Sequence, residues 1–599
     1  MRVLLRIFAL TLEHKWLLSL SMLCVSGATA AYLILPWLFG AAIDEIARVV
    51  GDGNVAGSSI LRIAMLILGV SIIRAILTFG QTYLGEKLSQ AVAYDLRNKF
   101  YDHVQNLSFR FHDTHHTGNL MSRAITDVEA FRMFVNTGLV RSPYYFILFF
   151  AAAGILIWRD WRLGLVGLSF MPVLAVLTIV LRLHLRKIWL RVQEDMADLS
   201  TVLQENMTGA RVVKAFAAEE YEEKKYEDKN TAVSGDMVSA ARLQALNTSV
   251  IMFVYLIVIG MILWIGGIRV VGGYLTPGEL ASFLFYMQVL SMPVRHAGMV
   301  VNSYARAFSA GERLFEVLDY ESHVQESPNS KTTSRSKGKV RFHNAGFTYD
   351  GQNIALENIE IHADPGKVIA LVGAPGSGKS TVVNLMSRFY DVTSGKITID
   401  DVDIREMTLK SLRQNIGMVQ QDVFLFSATL RENIAYGKED ASIEDIAAAA
   451  QIAQMDDFIQ ELPDGYDTEI GERGSTLSGG QRQRMSIART ILLDPPILVL
   501  DDSTASVDAN TEEKIRIAMQ EVMKGRTTFV IAHRLNTVHK ADEIIVLDQG
   551  RIIERGTHNH LISVNGSYRR IYDLQIRPQE EVMMEFEVPP NTEGVLQTS

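Results

Sequence analysis

The chain has 599 residues, enough for two or more domains, and 48% of them are apolar, with a positive mean hydropathy that places part of the chain in lipid. Its net charge of −9 argues against nucleic acid as the main partner, because a phosphate-backbone binder carries a basic balance. The single cysteine, Cys24, excludes an internal disulfide and a cysteine metal centre.

The opening stretch MRVLLRIFALTLEHKW lacks the small-residue cleavage site of a signal peptide and the Arg/Ser-rich composition of a transit peptide, so a retained amphipathic helix is expected. Two charge-free runs, Trp16–Phe39 and Leu246–Ile268, are each long enough to cross a hydrocarbon core of about 30 Å as a helix. Leu163–Leu181 is a third, just long enough. Ile63–Leu84 with Arg74, Gly138–Trp158 with Arg141, and Leu280–Val294, which runs into Arg295 and His296, bring the expected spans to six. An even number puts both termini on one side. The connections 85–137 and 182–245 are long, and Lys15, Lys87, Arg182, Arg186, Lys187 and Arg242 near the span ends favour the cytoplasm for them. Their helical composition predicts membrane helices that continue well past the bilayer. Arg74 and Arg141, charges at membrane depth, either face a cavity or a partner, or snorkel to an interface.

Residues 321–339, ESHVQESPNSKTTSRSKGK, are polar, Ser-rich and aperiodic, which marks a linker between a membrane domain over 1–320 and a soluble domain over 340–577. Short β runs alternate with helical stretches in the second domain, as in KVIALVG followed by KSTVVNLMSRFY, an α/β pattern. Residues 578–599 form a tail that carries Glu580, Glu581, Glu585 and Glu587, either a disordered end or a contact with a partner domain.

The segment GAPGSGKST, Gly373–Thr381, lies between an apolar strand and a helix, the context of a P-loop. Its glycines let backbone N–H groups surround phosphates, the helix N-terminus adds a favourable dipole, Lys379 reaches the outer phosphates and Ser380 holds Mg²⁺. The candidate ATP-binding residues here are Gly373, Pro375, Gly376, Ser377, Gly378, Lys379, Ser380 and Thr381.

A second segment, LSGGQRQR, Leu477–Arg484, also joins small residues to a helix start. With the P-loop upstream and ILVLDD downstream, it resembles the nucleotide-binding domain of ATP-binding cassette (ABC) proteins. That resemblance implies that Tyr349 in FTYD stacks on adenine, and that Gln421 in MVQQDVFLF senses Mg²⁺ and the attacking water, with Gln420 as the alternative. It further implies that Asp501 binds Mg²⁺ through water, that Asp508 lies in the D-loop, and that His533 in IAHRLN contacts the γ-phosphate. Asp502, His533 and Gln421 are thus the candidate catalytic residues, and Ser380, Gln421 and Asp501 the candidate metal residues. Leu477, Ser478, Gly479, Gly480 and Gln481 would complete the site of a second chain in trans, and TEIGERG, Thr468–Gly474, would touch the membrane domain across the dimer. FHDTHHTGNLMSRAITDV and GARVVKAFAAEE look like the two cytoplasmic connections of exporter half-transporters. The implied fold is an all-α, six-helix transmembrane domain of the type IV exporter class followed by an α/β P-loop domain, with ATP and Mg²⁺ as ligands and a second half-transporter chain as partner.

Active members of the family carry a glutamate after the Mg²⁺-binding aspartate to polarise the attacking water. Here that residue is Asp502, whose carboxylate sits back by roughly 1 Å, a misplacement that costs on the order of 100-fold in rate. Lys379, Ser380, Gln421, Asp501 and His533 are all present, so the defect is selective. The chain therefore resembles one subunit of a heterodimeric exporter that pairs a degenerate site with an active one. His533 leaves open a homodimer in which Asp502 works through a shifted water. An ATP-gated channel or regulatory membrane subunit is a rival of another class, while the six spans exclude a soluble chromosome-maintenance ATPase. The substrate is open among small molecules, lipids and peptides. Tyr144, Tyr145, Phe146, Tyr255, Phe283, Tyr286 and Met287 line a cavity or pack on neighbours and membrane lipid. The expected location is the bacterial inner membrane, with the nucleotide-binding domain and both termini cytoplasmic.

Overall fold

Runs of Leu, Ile, Val and Ala without period-two alternation build helices throughout the first half of the chain. The computed structural model describes residues 2–52, 57–471, 474, 476–502, 509–532 and 538–576. Internal contacts divide the chain into a helical unit, residues 1–104 with 118–320, and a nucleotide unit, residues 105–117 with 321 onward.

The helical segments are α1 (Arg2–Leu12), α2 (Lys15–Asp52), α3 (Gly57–Asn106), α4 (Phe109–Thr114), α5 (Thr117–Ser122), α6 (Val128–Phe134), α7 (Ser142–Arg159), α8 (Trp161–Leu168), α9 (Phe170–Thr208), α10 (Ala210–Ala215), α11 (Glu219–Val271) and α12 (Pro277–Leu318). Among the described residues, four stretches are long and apolar enough to cross a membrane: Lys15–Val50, Ser58–Asn106, Thr117–Arg159 and Glu219–Val271. The other two expected spans fall differently. Leu163–Leu181 is divided at Ser169 between α8 and α9, and Leu280–Val294 lies in α12, which intersperses Ser282, Gln288 and Ser291 with its apolar residues. With 50 and 53 residues, α3 and α11 run roughly 75–80 Å, well beyond the hydrocarbon core.

Local chemistry sets the ends. Asp160 leaves the helical region and its carboxylate accepts from the N–H groups of Arg162 and Leu163, both at 3.0 Å, so α7 stops and α8 begins there. Thr276 and Glu279 form a capping box at the start of α12, with Pro277 in the first turn. α1 is tied to the end of α12 by Arg6, which donates to both Asp319 oxygens (2.6 and 2.8 Å). α2 and α12 approach so closely that a Cβ on Gly278 would sit 2.0 Å from the Gly40 carbonyl oxygen. Asp44 seals this contact by accepting from the Thr276 hydroxyl and the Gly278 N–H.

In the nucleotide unit the strands are β1 (Val340–Thr348), β2 (Ile354–Ala363), β3 (Val368–Val372), β4 (Ser394–Ile399), β5 (Val402–Asp403), β6 (Ile416–Val419), β7 (Ile497–Asp502), β8 (Thr527–Ala532), β9 (Glu543–Asp548) and β10 (Arg551–Gly556). They form a four-stranded antiparallel sheet, β2-β1-β4-β5, and a six-stranded sheet, β10-β9-β3-β8-β7-β6, parallel except at β10. The continuous apolar runs VIALV and ILVL suit strands buried on both faces. One core lies between the two sheets, around Phe342, Ile361, Leu371, Val499 and Phe529. Another, around Val419, Ile446, Met485, Leu500 and Val530, packs helices on the opposite face. The polar segment 321–339 belongs to this unit. The Ser336 N–H donates to Asn415 and its hydroxyl to Asp400, both at 2.7 Å, so a stretch with linker composition finds fixed acceptors.

Candidate nucleotide site

Parallel pairing brings the C-terminal ends of β3, β6, β7 and β8 to one edge of the sheet, with Val419 opposite Leu500, Asp501 opposite Ile531, and Leu371 also opposite Ile531. Loops leaving such an edge are where an α/β sheet gathers ligand groups.

From β3 the chain passes through Gly373–Gly378 into helix α13 (Lys379–Met386). Gly376 and Gly378 have φ of +78° and +104°, and a Cβ on Gly378 would meet the Leu356 side chain at 2.6 Å. No side chain caps α13, so its first N–H groups remain available to an anion. Lys379 is only 6% exposed and donates to the carbonyls of Gly373 (2.8 Å) and Ala374 (2.9 Å), closing the loop on itself. Burial pushes the Lys379 ammonium pKa down, while the Asp501 carboxylate acts in the opposite direction.

Tyr349, at the turn after β1, stays 42% exposed. Its hydroxyl lies 3.2 Å from Thr381 Oγ1, and its ring meets Phe347 and Tyr390 edge-on. Asp350 holds the turn by accepting from the N–H groups of Gln352 and Asn353 at 3.0 and 2.8 Å. A cleft of about 350 Å³ lies between Tyr349 and the start of α13, bordered also by Ile354, Ala355, Gln549 and Gly550. Motif reasoning passed over those four. The two-residue turn Gln549–Gly550 between β9 and β10 was readable as a hairpin signal, and its Gly550 N–H donates to the Ser377 carbonyl (3.1 Å), bracing the P-loop.

Asp501 and Asp502 end β7 at the same sheet edge, and Gln421 lies two residues beyond β6, exposed beside the equally exposed Gln420. His533 and Asp508 lie outside the described residues. Open helix N–H groups, an ammonium, the Ser380 and Thr381 hydroxyls and a carboxylate form a donor set that fits a triphosphate with its Mg²⁺.

The signature segment is elsewhere. Ser478 caps the helix Gly479–Leu493 through a capping box, accepting from the Gln481 N–H (3.3 Å) while Gln481 Oε1 accepts from the Ser478 N–H (2.8 Å). Leu477 and Gly480 are buried, and Arg482 donates to the Leu477 carbonyl (2.8 Å). None of the residues Leu477–Gln481 borders the cleft at Tyr349.

In the helical unit, Phe283, Tyr286 and Met287 are buried against α7, and the Tyr286 hydroxyl donates to the Leu33 carbonyl (2.7 Å). Tyr145 is buried and stacked on His296, Tyr144 and Tyr255 are half-buried, and Phe146 is exposed. The Arg74 guanidinium lies 3.8 Å over the Tyr32 ring, and Arg141 ends the π-helical turn Val135–Arg141.

Comparison with known proteins agrees with this architecture. Residues 18–294 match the ABC transporter transmembrane region, and residues 356–505 match the ABC transporter family. The chain is 39% identical to the Bacillus subtilis protein YknU, described as an uncharacterized ABC transporter ATP-binding protein, over 93% of this chain and 94% of that one. It is 35% identical to an ATP-dependent lipid A-core flippase of Syntrophus aciditrophicus (96% and 94%) and 36% identical to a putative multidrug export ATP-binding/permease protein of Bacillus subtilis, YgaD (91% and 94%). The chain belongs to the ABC transporters, as an exporter half-transporter with a type IV transmembrane region fused to a domain that binds ATP with Mg²⁺.

Proposed function

We propose that this chain is one half of a two-chain exporter for a hydrophobic or amphipathic substrate, and that its partner is a different half-transporter supplying the glutamate that this chain lacks. The observation that carries the reading is Asp502, which follows Asp501 at the end of β7 on the edge that also carries the P-loop.

In this reading adenine stacks on the exposed Tyr349. The P-loop from Gly373 to Gly378 wraps the phosphates, and Lys379 turns its ammonium from the loop carbonyls to the outer phosphates. Ser380, Gln421 and Asp501 would hold Mg²⁺, which would supply charge neutralisation to the phosphates. His533 contacts the γ-phosphate, and Asp508 lies in the D-loop. Asp502 polarises the attacking water from roughly 1 Å too far back, so this P-loop binds ATP and hydrolyses it on the order of 100-fold more slowly than a glutamate site would. Leu477–Gln481 complete the partner's active site, in keeping with their distance from this chain's own cleft. The exposed apolar window of α3, none of it buried, suits cover by lipid and a second chain.

The names of the flippase and multidrug-export relatives support a substrate with an apolar body, and Arg74 held on Tyr32 suits a polar end. We place the helical unit in a bacterial inner membrane, with the nucleotide unit and both termini in the cytoplasm. One feature favours a homodimer: His533 is retained, as in a working site. The test is steady-state ATPase activity of the chain purified alone in lipid beside Asp502→Glu, with oligomer mass recorded in the same sample. The heterodimer reading expects a nearly inactive native chain revived by glutamate, and brisk turnover by a native homodimer would sink it.

A further inference from the structure

The turn Gln549–Gly550 borders the nucleotide cleft, and no motif accounts for it. It closes the hairpin between β9 and β10, where Asp548 pairs with Arg551, and both of its residues have positive φ, +46° and +77°. Two left-handed residues in a two-residue loop make a type I′ turn, which asparagine, aspartate or glycine fits best. Glutamine stands at the first position instead, so the turn carries a longer amide than its own geometry favours.

The turn is also braced from both sides. Gly550 N–H donates to the Ser377 carbonyl (3.1 Å), and the Gly550 carbonyl accepts from the Glu357 N–H (2.8 Å). A Cβ on Gly550 would lie 2.6 Å from the Ala355 carbonyl oxygen, and Arg551 donates through Nε and Nη2 to Glu357 (3.0 and 2.6 Å). The backbone of Gln549 is therefore fixed relative to the P-loop. Its side chain is exposed on the cleft border and has no hydrogen-bond partner among the described residues.

A nucleotide with its base on Tyr349 and its phosphates at the P-loop must carry its sugar across the space between them. The other polar side chains on the border are committed or lie at the phosphate end: the Tyr349 hydroxyl is shared with Thr381, Lys379 is bonded to the loop carbonyls, and Ser380 opens α13. Ile354 and Ala355 add apolar surface only. The Gln549 carboxamide both donates and accepts, as a ribose hydroxyl does.

We propose that Gln549 is a specificity-determining residue that reads the ribose hydroxyls of the bound nucleotide. The inference rests on the reading that adenine stacks on Tyr349 and the phosphates fill the P-loop, and it adds the sugar as a recognised part.

The experiment is an equilibrium titration of the full chain, purified alone in lipid nanodiscs, with Mg-ATP and with Mg-2′,3′-dideoxy-ATP, which lacks both hydroxyls. The native chain should bind ATP roughly three- to tenfold more tightly, the worth of one neutral hydrogen bond. Gln549→Gly suits the positive φ of the turn. It should weaken ATP by that factor and leave dideoxy-ATP unchanged, so that the two nucleotides bind alike. Gln549→Met, which keeps the length without the amide, should match it. A residue that merely shapes the turn would weaken both nucleotides equally, and that result overturns the proposal, as does a ribose preference that survives in either variant. A shifted ATP-to-GTP ratio with the ribose preference intact would assign Gln549 to the base and overturn it too. Tyr349→Ala separates the two claims. Unchanged ATP affinity there defeats the adenine reading and the sugar contact with it, whereas weakened affinity beside a native ribose preference in Gln549→Gly defeats the sugar contact alone.

Discussion

Two helix N-termini in the nucleotide unit, to which the proposed function assigns the phosphate chemistry, are built in opposite ways. α13 starts on Gly378 in a left-handed conformation with no side-chain cap, so its first N–H groups are left for a ligand. The helix Gly479–Leu493 starts on Ser478 with its capping box closed by Gln481. An open terminus leaves N–H groups for an anion, whereas a closed one satisfies its own N–H groups. The difference suits the proposal that the chain binds ATP at its own P-loop and lends its signature segment to a partner.

Substitutions can break this contrast. Lys379→Met should have the largest effect, removing the ammonium bonded to the Gly373 and Ala374 carbonyls and lowering hydrolysis on the order of 100–1,000-fold, as read by phosphate release. Gly378→Ala comes next. It forces a Cβ into Leu356 at φ +104°, a strain of about 1–3 kcal/mol that should weaken ATP roughly ten- to hundredfold in an equilibrium titration.

At the closed terminus, Ser478→Ala should cost about 1 kcal/mol of stability and lower the thermal midpoint by about 2–4 °C. Affinity at the chain's own P-loop should be unchanged, and an equal loss of ATP binding there would erase the contrast between the two termini. The smallest effect concerns the turn that presents Tyr349. The Asn353 and Gln352 N–H groups hold the Asp350 carboxyl down to about 2, from an ordinary value of 3.8. Its folded pKa is depressed, so its hold on the turn is complete above pH 3.8 and is lost as pH falls towards 2. Asp350→Ala should weaken ATP roughly two- to threefold at neutral pH, and hydrogen exchange of the native turn should quicken only in acid.

Much of the site was legible in residue order. GAPGSGKST between an apolar run and a helix located the phosphate loop, and ILVLDD announced a buried strand delivering two carboxylates, because both patterns are local. Tyr349 was named from resemblance, but beyond Phe347 in the strand just before it, its partners Thr381 and Tyr390 come from a neighbouring helix and a loop beyond α13, which only the fold assembles. Composition marked residues 321–339 as a linker, but that its donors find Asp400 and Asn415 came only from the fold. Apolar content marked Leu163–Leu181 as a span, and the turn at Ser169 between α8 and α9 within it, which keeps helical dihedrals, came only from the fold.

The sequence by itself determined that this chain has a lipid-embedded helical half and an ATP-binding half, and that a second aspartate, Asp502, follows Asp501. Hydropathy, strand runs and P-loop spacing act over a few residues and survive without a fold. Tertiary structure alone decided that α4 leaves the helical unit to rest on Phe389 and Tyr390, that Arg74 lies on Tyr32, and that Gly40 meets Gly278. Each of these joins residues tens to hundreds of positions apart, and such pairings depend on how whole helices and sheets pack.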